Sequence, residues 1–315
     1  MGRKLAFVFP GQGSQFVGMC SSVLTDFPDT FARIEQANEI LGYDIGDLIA
    51  NGPIERLNQT ATTQPAMLVA SVIVWDAWRA SGGLLPSYMA GHSFGEYSAL
   101  VCADSIEYAD AVFLASERGH FMQEAVPADR SAVCAILGLD EDVLAPLCLD
   151  AAQGEVVQCA NINAPSQIVL TGDRAAVERA CELAKTAGAK KVIPLAVSAP
   201  VHCSLMLPAA ERLATHIESI NIRMPEIPII HNVDARARFD VAGIRQALID
   251  QMASPVRWRE TVEFFTTNNV DVTVECGPGK VLSALVKRTN RKIKTHTIND
   301  RDTIVSVIDS LVEQG

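Results

Sequence analysis

Ser93 stands between two glycines in the stretch Gly91-His-Ser-Phe-Gly95, directly after a short apolar run. A serine nucleophile on a sharp strand-to-helix turn needs small neighbours, because the backbone and the following helix pack closely there. Such a turn also leaves the N–H of the next residue, Phe94, free at a helix start, where it can hold an oxyanion. A glycine-lined turn with an unreactive serine fits the same letters, so the motif needs a base beside it.

His202 is the candidate base among the six histidines. It follows Pro200 at the end of a predicted strand, and strand ends of α/β sheets collect catalytic groups. A helix is predicted to begin nearby, and its positive end favours a neutral imidazole. The side chain of His92 is expected to point away from Ser93, and the other histidines lie in helical or polar stretches. A structural histidine at a turn is the alternative for His202, and Cys203 is a rival nucleophile without a glycine-flanked turn.

Arg118 lies in the middle of the apolar side of a helix predicted over residues 109–125. A guanidinium in that place is costly unless its charge is paired. The side chain can reach solvent or pair with a protein carboxylate. Alternatively its partner is a substrate carboxylate, which a guanidinium binds through two parallel hydrogen bonds. With a reactive serine, the second reading predicts transfer of an acyl group that carries a free carboxylate.

The loop Gly11-Gln12-Gly13 follows the first predicted strand. It does not match a nucleotide-binding pattern, because Phe16 stands where a third glycine is needed and no Lys-Ser/Thr pair follows. If the loop lies near Ser93, the N–H of Gln12 becomes a second oxyanion donor. A plain strand-to-helix turn is the alternative.

The elements that must position these residues alternate between strands and helices. Strands are predicted over 4–9, before Ser93 and over 272–276, and helices over 63–82 and from Lys280 onward. This alternation predicts an α/β fold with a mostly parallel sheet and helices on both faces.

The middle of the chain follows a different order. Strands are predicted over 131–139, 155–163, 167–172 and 190–197, and helices over 141–153 and 174–188. The order βαββαβ is that of the split βαβ or ferredoxin-like plan. We therefore expect a small inserted domain at 127–198 and a large domain formed by 1–126 and 199–315.

The composition is that of a globular enzyme, with 315 residues, of which 49% are hydrophobic and 20% charged. The formal net charge of −11 argues against nucleic acid as the main partner, since phosphate binding needs a broad basic face. The eight cysteines show no CxxC or zinc-type spacing, which favours free thiols in a reducing compartment. The longest apolar run, 67–75, is far shorter than the ~20 residues that span a bilayer, and no signal peptide is evident. We expect a cytoplasmic protein without a membrane partner.

Several motifs occur in order along nearly the whole chain: FPGQGSQFVGM, TQPA, AGHSFGEYSALVCA, ERGHFMQEAVP, VSAPVHCSLM, SPVRW and ECGPGKVL. Together they resemble the malonyl-CoA:acyl-carrier-protein transacylases of bacterial type II fatty-acid synthesis. The resemblance implies an α/β-hydrolase-like large domain with an inserted ferredoxin-like small domain, which agrees with the order of elements above. It also implies an acyltransferase that moves malonyl groups for fatty-acid synthesis.

The resemblance assigns a role to each candidate residue. Ser93 would be the acylated nucleophile, His202 its general base and later acid, and Arg118 the ligand of the malonyl carboxylate. The histidine would be oriented by a backbone carbonyl in place of an aspartate, and by position in LIDQMASPVRW that carbonyl belongs to Gln251. Asn163 matches a family position near the site.

The backbone amides of Gln12 and Phe94 would form the oxyanion hole. Two positions depart from the family pattern, since Phe94 replaces a usual leucine and Val201 a usual serine or phenylalanine. Both are expected to border the acyl pocket and to affect the strictness of malonyl selectivity.

The implied partners are malonyl-CoA and acyl carrier protein, used in a ping-pong reaction by a monomer that needs no metal or other cofactor. Because such carrier proteins are acidic, a basic face is required on this acidic chain. Residues 280–296 hold six basic and no acidic side chains, and Lys287 and Arg288 are predicted to form part of the docking face. The alternatives are a serine hydrolase or thioesterase on the same scaffold, and an inactive subunit that binds the carrier protein.

Overall fold

Two β-sheets organise the chain in the computed structural model, which describes residues 4–127, 129–195 and 199–313. The strands are β1 (Lys4–Phe9), β2 (Tyr88–Gly91), β3 (Ser131–Leu137), β4 (Val157–Ala164), β5 (Gln167–Asp173), β6 (Lys191–Pro194), β7 (Ile229–Ile230), β8 (Val270–Cys276) and β9 (Lys294–Ile298). The larger sheet has the strand order β7-β2-β1-β8-β9 and is parallel throughout. The chain is therefore an α/β protein with a parallel sheet, as the alternation of elements predicted.

Fourteen α-helices lie in the described part of the chain. They are α1 (Ser21–Asp26), α2 (Phe31–Leu41), α3 (Ile45–Asn51), α4 (Ile54–Leu57), α5 (Thr60–Ala80), α6 (Gly95–Cys102), α7 (Tyr108–Ala125), α8 (Glu141–Ala152), α9 (Arg174–Thr186), α10 (Leu207–Ser219), α11 (Val241–Gln251), α12 (Trp258–Thr267), α13 (Val281–Thr289) and α14 (Arg301–Val312). No described helix is both long enough and apolar enough to cross a bilayer.

The parallel sheet is covered on both faces, which explains why its strands read as continuous apolar runs. On one face, Phe7 of β1 packs against Trp75 and Trp78 of α5, with ring centroids 5.2 Å apart in both pairs. Helix α5 is buried along nearly its whole length. On the other face, a separate apolar cluster joins β1 and β8 to α12 and α13. These layers fix the carboxyl ends of β1 and β2 side by side.

The smaller sheet is antiparallel and has the strand order β4-β5-β3-β6. Its own apolar cluster, built by these strands with α8 and α9, lies entirely within residues 132–192. The predicted elements match this region closely, although the last strand spans only Lys191–Pro194 and residues 196–197 of its predicted range lie outside the described part. Helix α9 ends at Thr186, because Gly188 takes a left-handed conformation (φ 96°).

Candidate active site

Ser93 occupies a strained turn between β2 and α6. Its φ angle is 52°, in the left-handed region that non-glycine residues rarely adopt. The turn is possible because the two flanking residues are glycines, whose missing Cβ atoms leave room for nearby backbone atoms. A Cβ on Gly91 would lie 1.8 Å from the Gly95 carbonyl carbon, and one on Gly95 would lie 2.1 Å from the Phe9 carbonyl oxygen. Packing of α6 against β1 and β2 therefore fixes the serine at the carboxyl end of the parallel sheet.

His202 faces Ser93 across a short hydrogen bond. Ser93 Oγ lies 2.6 Å from His202 Nε2, although the two residues are 109 positions apart in sequence. The other ring nitrogen, Nδ1, donates to the backbone carbonyl of Gln251 at 2.9 Å. This donation leaves Nε2 unprotonated and able to accept the hydroxyl proton. The pair has the geometry of an activated nucleophile whose base is oriented by a carbonyl oxygen.

The imidazole of His202 is held in its neutral form. Burial, followed by the nearby Arg118 charge, lowers the pKa of His202 to about 3. The expected cause was a helix N-terminus beside the histidine, but α10 begins only at Leu207, after a short 3₁₀ turn over Ser204–Met206. Desolvation, rather than a helix dipole, is thus the main reason that the base stays unprotonated.

Arg118 is buried in α7 with only 1% of its surface exposed. One terminal nitrogen donates to Gln64 Oε1 at 2.8 Å, and the other donates to Gln251 Oε1 at 2.9 Å. Both partners are neutral amides, and no carboxylate in the described part of the chain forms an ion pair with this guanidinium. Burial lowers the pKa of Arg118, against the nearby Tyr97 and Glu96, which raise it. A fully buried cation without an anionic partner is an unusual arrangement in a folded protein.

A cavity of about 370 Å³ brings these groups together. Its lining includes Ser93, His202, Arg118, Gln64, Gln12, Phe94, His92, Asn163, Asn161, Val201 and the start of α13. The smaller sheet forms part of the wall, so that the cavity lies between the two sheets. A larger groove, about 1190 Å³, lies between α9 and the smaller sheet, away from this chemistry. The cavity that holds Ser93 is the better candidate site because a candidate nucleophile, a candidate base and a buried cation converge there.

Gln12 and Phe94 both border this cavity. Among the described residues, neither the N–H of Phe94 nor that of Gln12 donates a hydrogen bond. The adjacent N–H groups are used, since Ser93 N donates to Asn232 Oδ1 and Gly95 N donates to the His92 carbonyl. Unpartnered N–H groups in the same cavity as a reactive hydroxyl can stabilise an oxyanion.

The sequence-based expectation for His92 was wrong. Its side chain does not point away from the site but lines the same cavity, where Nε2 lies 2.7 Å from Asn163 Oδ1. Burial lowers the pKa of His92. The error has a simple cause: with Ser93 at positive φ, adjacent side chains no longer alternate as they do in a strand, so both can face one cavity.

Sequence reasoning also missed three members of a buried polar cluster behind the serine, whereas the fourth, Gln251, was predicted only for its backbone carbonyl. Glu96, His231, Asn232 and Gln251 are fully buried and hydrogen-bonded to one another. His231 and Asn232 follow directly after β7, a two-residue strand whose sequence gave no signal. Glu96 itself was the available clue, because a charged residue is rare in the first turn of a buried helix.

Comparison with known proteins places this site in a family. Residues 6–306 match the acyl transferase domain. The chain belongs to the acyl transferase family. The match covers both sheets and every candidate site residue, so the acyl transferase relationship applies to the whole described site.

Individual members of the acyl transferase family are close to this chain. The malonyl CoA-acyl carrier protein transacylase of Haemophilus influenzae is 48% identical over 311 residues, which are 98% of this chain and 100% of that protein. A solved malonyl CoA-acyl carrier protein transacylase from Coxiella burnetii is 45% identical with a TM-score of 0.97, covering 99% of this chain and 98% of the other. A malonyl-transacylase solved in complex with a type II polyketide synthase acyl-carrier protein is 46% identical with a TM-score of 0.95, covering 98% and 99%.

The lowered pKa of His202 predicts how acylation responds to pH. An ordinary imidazole with a pKa of about 6.5 would lose half of its base form at that pH. Because burial keeps His202 neutral far below that point, kcat/KM for acylation by malonyl-CoA should stay nearly constant from about pH 8 to about pH 5. The same shift means that the unfolded chain takes up a proton that the folded chain excludes, so the free energy of unfolding falls below about pH 6.5.

The measurement is the rate of Ser93 acylation across this pH range, with thermal unfolding followed in parallel. A His120→Asn variant, which removes an exposed imidazole from α7, is the control for general titration effects. A rate that halves near pH 6.5 while the protein stays folded would contradict the buried, neutral base.

Proposed function

We propose that this chain transfers the malonyl group from malonyl-CoA to the phosphopantetheine thiol of acyl carrier protein, supplying fatty-acid synthesis. The observation that carries the proposal is Arg118, a buried guanidinium without a protein carboxylate, in the same cavity as the Ser93–His202 pair. A malonyl thioester has a carbonyl for the serine and a carboxylate for the arginine. The names of the relatives support the same substrate pair.

In the first half-reaction, Ser93 Oγ attacks the thioester carbonyl while His202 Nε2 takes the hydroxyl proton. The negative charge moves to the carbonyl oxygen, where the N–H groups of Phe94 and Gln12 hold it. The carbon–sulfur bond then breaks, and the coenzyme A sulfur leaves with the proton from His202. The product is a malonyl ester on Ser93.

In the second half-reaction, the carrier-protein thiol attacks this ester and His202 accepts the thiol proton. The bond to Ser93 Oγ breaks, and the serine recovers its proton from His202. Arg118 holds the malonyl carboxylate in both halves and so keeps the ester carbonyl in the oxyanion hole. Every step uses groups of this chain and its two substrates, so we propose that the reaction needs no metal or other cofactor.

The two sheets correspond to two proposed domains. The parallel sheet with its helices, from residues 1–126 and 199–315, is assigned an α/β-hydrolase-like fold. Residues 127–198 are assigned a ferredoxin-like fold, supported by the strand order β4-β5-β3-β6 and by a separate apolar cluster. A monomer in the cytoplasm, with no nucleic-acid partner, stays a prediction, to which the eight free, buried cysteines lend support.

Pocket shape adds to the selectivity that we propose for Arg118. Phe94 is 1% exposed, stacks on Tyr97 with centroids 5.3 Å apart, and forms a wall of the cavity together with Val201. The guanidinium carbon of Arg118 lies 5.8 Å from the centre of the Phe94 ring. A ring of this size next to the cation limits branching on the acyl group, so malonyl is favoured over bulkier carboxyacyl groups.

The side chain of Arg118 is the direct test of substrate choice. Its replacement, Arg118→Ala, should lower malonyl transfer by about 100-fold, because charge-assisted hydrogen bonds to the carboxylate are lost. Acetyl transfer should be unchanged or faster, since acetyl has no carboxylate and gains space. The measurement is kcat/KM for malonyl-CoA and acetyl-CoA with the same carrier protein.

The matched control is Arg212→Ala, which removes an exposed arginine that pairs with Glu124 at the end of α7. It should leave both rates unchanged. Equal losses for malonyl and acetyl transfer in Arg118→Ala would assign the arginine a structural role and remove the proposed selectivity.

The last turn of α13 is the proposed docking face for the carrier protein. Lys287 and Arg288 are exposed there, while Val281, Leu282 and Leu285 of the same helix line the cavity. The basic side chains therefore lie on a helix that lines the cavity, into which an acidic partner must deliver its phosphopantetheine arm.

Charge reversal in Lys287→Glu/Arg288→Glu should raise the apparent KM for carrier protein by about tenfold, because attraction becomes repulsion. The KM for malonyl-CoA, measured from Ser93 acylation alone, should not change. A control double variant, Arg79→Glu/Arg301→Glu, makes the same charge change at exposed positions that do not line the cavity. Equal effects on both substrates, or equal effects of the two double variants, would refute this docking face.

A further inference from the structure

Glu96 is a fully buried carboxylate directly behind the nucleophile. It is the second residue of α6, and its surface is 0% exposed. His231 Nδ1 lies 2.7 Å from Oε1, while Oε2 accepts from the backbone N–H of Asn232 at 2.9 Å and from its side-chain amide. Gln251 Nε2 also donates to Oε2, at 3.0 Å. Four donors from two distant segments therefore converge on one carboxylate, which has no contact with the cavity itself.

Two of these donors belong to side chains that hold the serine backbone. Asn232 Oδ1 accepts the Ser93 N–H at 2.6 Å, and Gln251 Nε2 donates to the Ser93 carbonyl at 3.0 Å. The backbone N–H and carbonyl of Ser93 are thus both hydrogen-bonded to side-chain amides that Glu96 orients. The Gln251 backbone carbonyl additionally orients His202.

The Gln251 side chain links this carboxylate to Arg118. A carboxylate only accepts hydrogen bonds, and a guanidinium only donates them. An amide between the two therefore has one favourable orientation, with its NH₂ group towards Glu96 and its oxygen towards Arg118. The Ser93 carbonyl favours the same orientation, but it is neutral, and charge-assisted bonds are about twice as strong.

We propose that Glu96 is a positioning residue for substrate selection: its carboxylate sets the direction of the Gln251 amide and thereby presents an acceptor that aims Arg118 at the malonyl carboxylate. The inference rests on the proposed role of Arg118. It assigns a function in the reaction to a residue that touches neither substrate nor the reacting atoms.

The test uses Glu96→Gln, which keeps the shape of the side chain but both donates and accepts. The Gln251 amide can then reverse and turn its NH₂ group towards Arg118, which has no acceptor to offer. The quantity to measure is the selectivity ratio, kcat/KM for malonyl-CoA divided by that for acetyl-CoA. We expect this ratio to fall by about tenfold, the size of one lost hydrogen bond to a charged group.

A double-mutant cycle separates positioning from general damage. In an Arg118→Ala background, Glu96→Gln should not lower the ratio further, because the two residues act through one contact. The matched control is Glu275→Gln, which alters the other fully buried glutamate among the described residues; Glu275 accepts from Leu282 and Ser283 backbone N–H groups. It should lower the melting temperature without changing the ratio.

Equal losses of malonyl and acetyl transfer in Glu96→Gln, or losses that add to those of Arg118→Ala, would overturn the inference and leave Glu96 a structural residue. An unchanged ratio in Arg118→Ala itself would instead overturn the role of Arg118. If Glu96→Gln does not fold, Gln251→Met tests the same link, since it removes the amide and keeps the carbonyl that orients His202. A ratio that stays at the wild-type value in Gln251→Met would also overturn the inference.

Discussion

The free energy cost of burying the Arg118 charge is the constraint on which the rest of the site depends. Removing a guanidinium from water costs several kcal/mol even after the protein relaxes around it. In this site the hydrogen bonds of Arg118 offset only part of that cost, because Gln64 and Gln251 supply oxygen acceptors but no negative charge. The remaining electrostatic energy is available to a ligand that brings a carboxylate. We propose that the free-energy cost of the buried charge in the free protein thereby gives selectivity for an acyl group that carries a carboxylate.

Gln251 joins the arginine to the catalytic pair. Its carbonyl orients His202, its side-chain oxygen accepts from Arg118, and its side-chain nitrogen donates to the Ser93 carbonyl. Ser93 and His202 both have positive φ angles, 52° and 60°. Such backbone strain persists only where many surrounding contacts fix it. Gln251, at the end of α11, is thus hydrogen-bonded to the proposed nucleophile, to the proposed base and to the buried cation.

Local physical rules account for the part of the site that sequence could predict. The glycine-flanked serine was recognisable because the steric limits of a strand-to-helix turn act over five residues. Arg118 was recognisable because helical periodicity placed a charge on an apolar side. The alternation of strands and helices predicted the parallel sheet, and the bounds predicted for β1, α5, α7 and the elements of the smaller sheet lie within a few residues of those observed. The helices α1–α4, α11, α12 and α14 and the strands β7 and β9 were not predicted.

Long-range hydrogen bonds account for what sequence could not predict. Glu96 is hydrogen-bonded to His231 and Asn232, which lie 135 and 136 positions away in sequence. No local sequence pattern indicates that these three residues contact one another. The side-chain direction of His92 depends on the strained φ of its neighbour, which no pattern of residue types reveals. Motif resemblance supplied Gln251 and Asn163, since composition and spacing alone gave no reason to select them.

The most direct test of this account is the intact mass of the protein after brief mixing with malonyl-CoA, with carrier protein added afterwards. The account predicts that the mass rises by one malonyl group, that the group lies on the peptide containing Ser93, and that it then appears on the carrier protein. No covalent adduct, an adduct on another residue such as Cys203, or release of free malonate with no transfer to the carrier would contradict it.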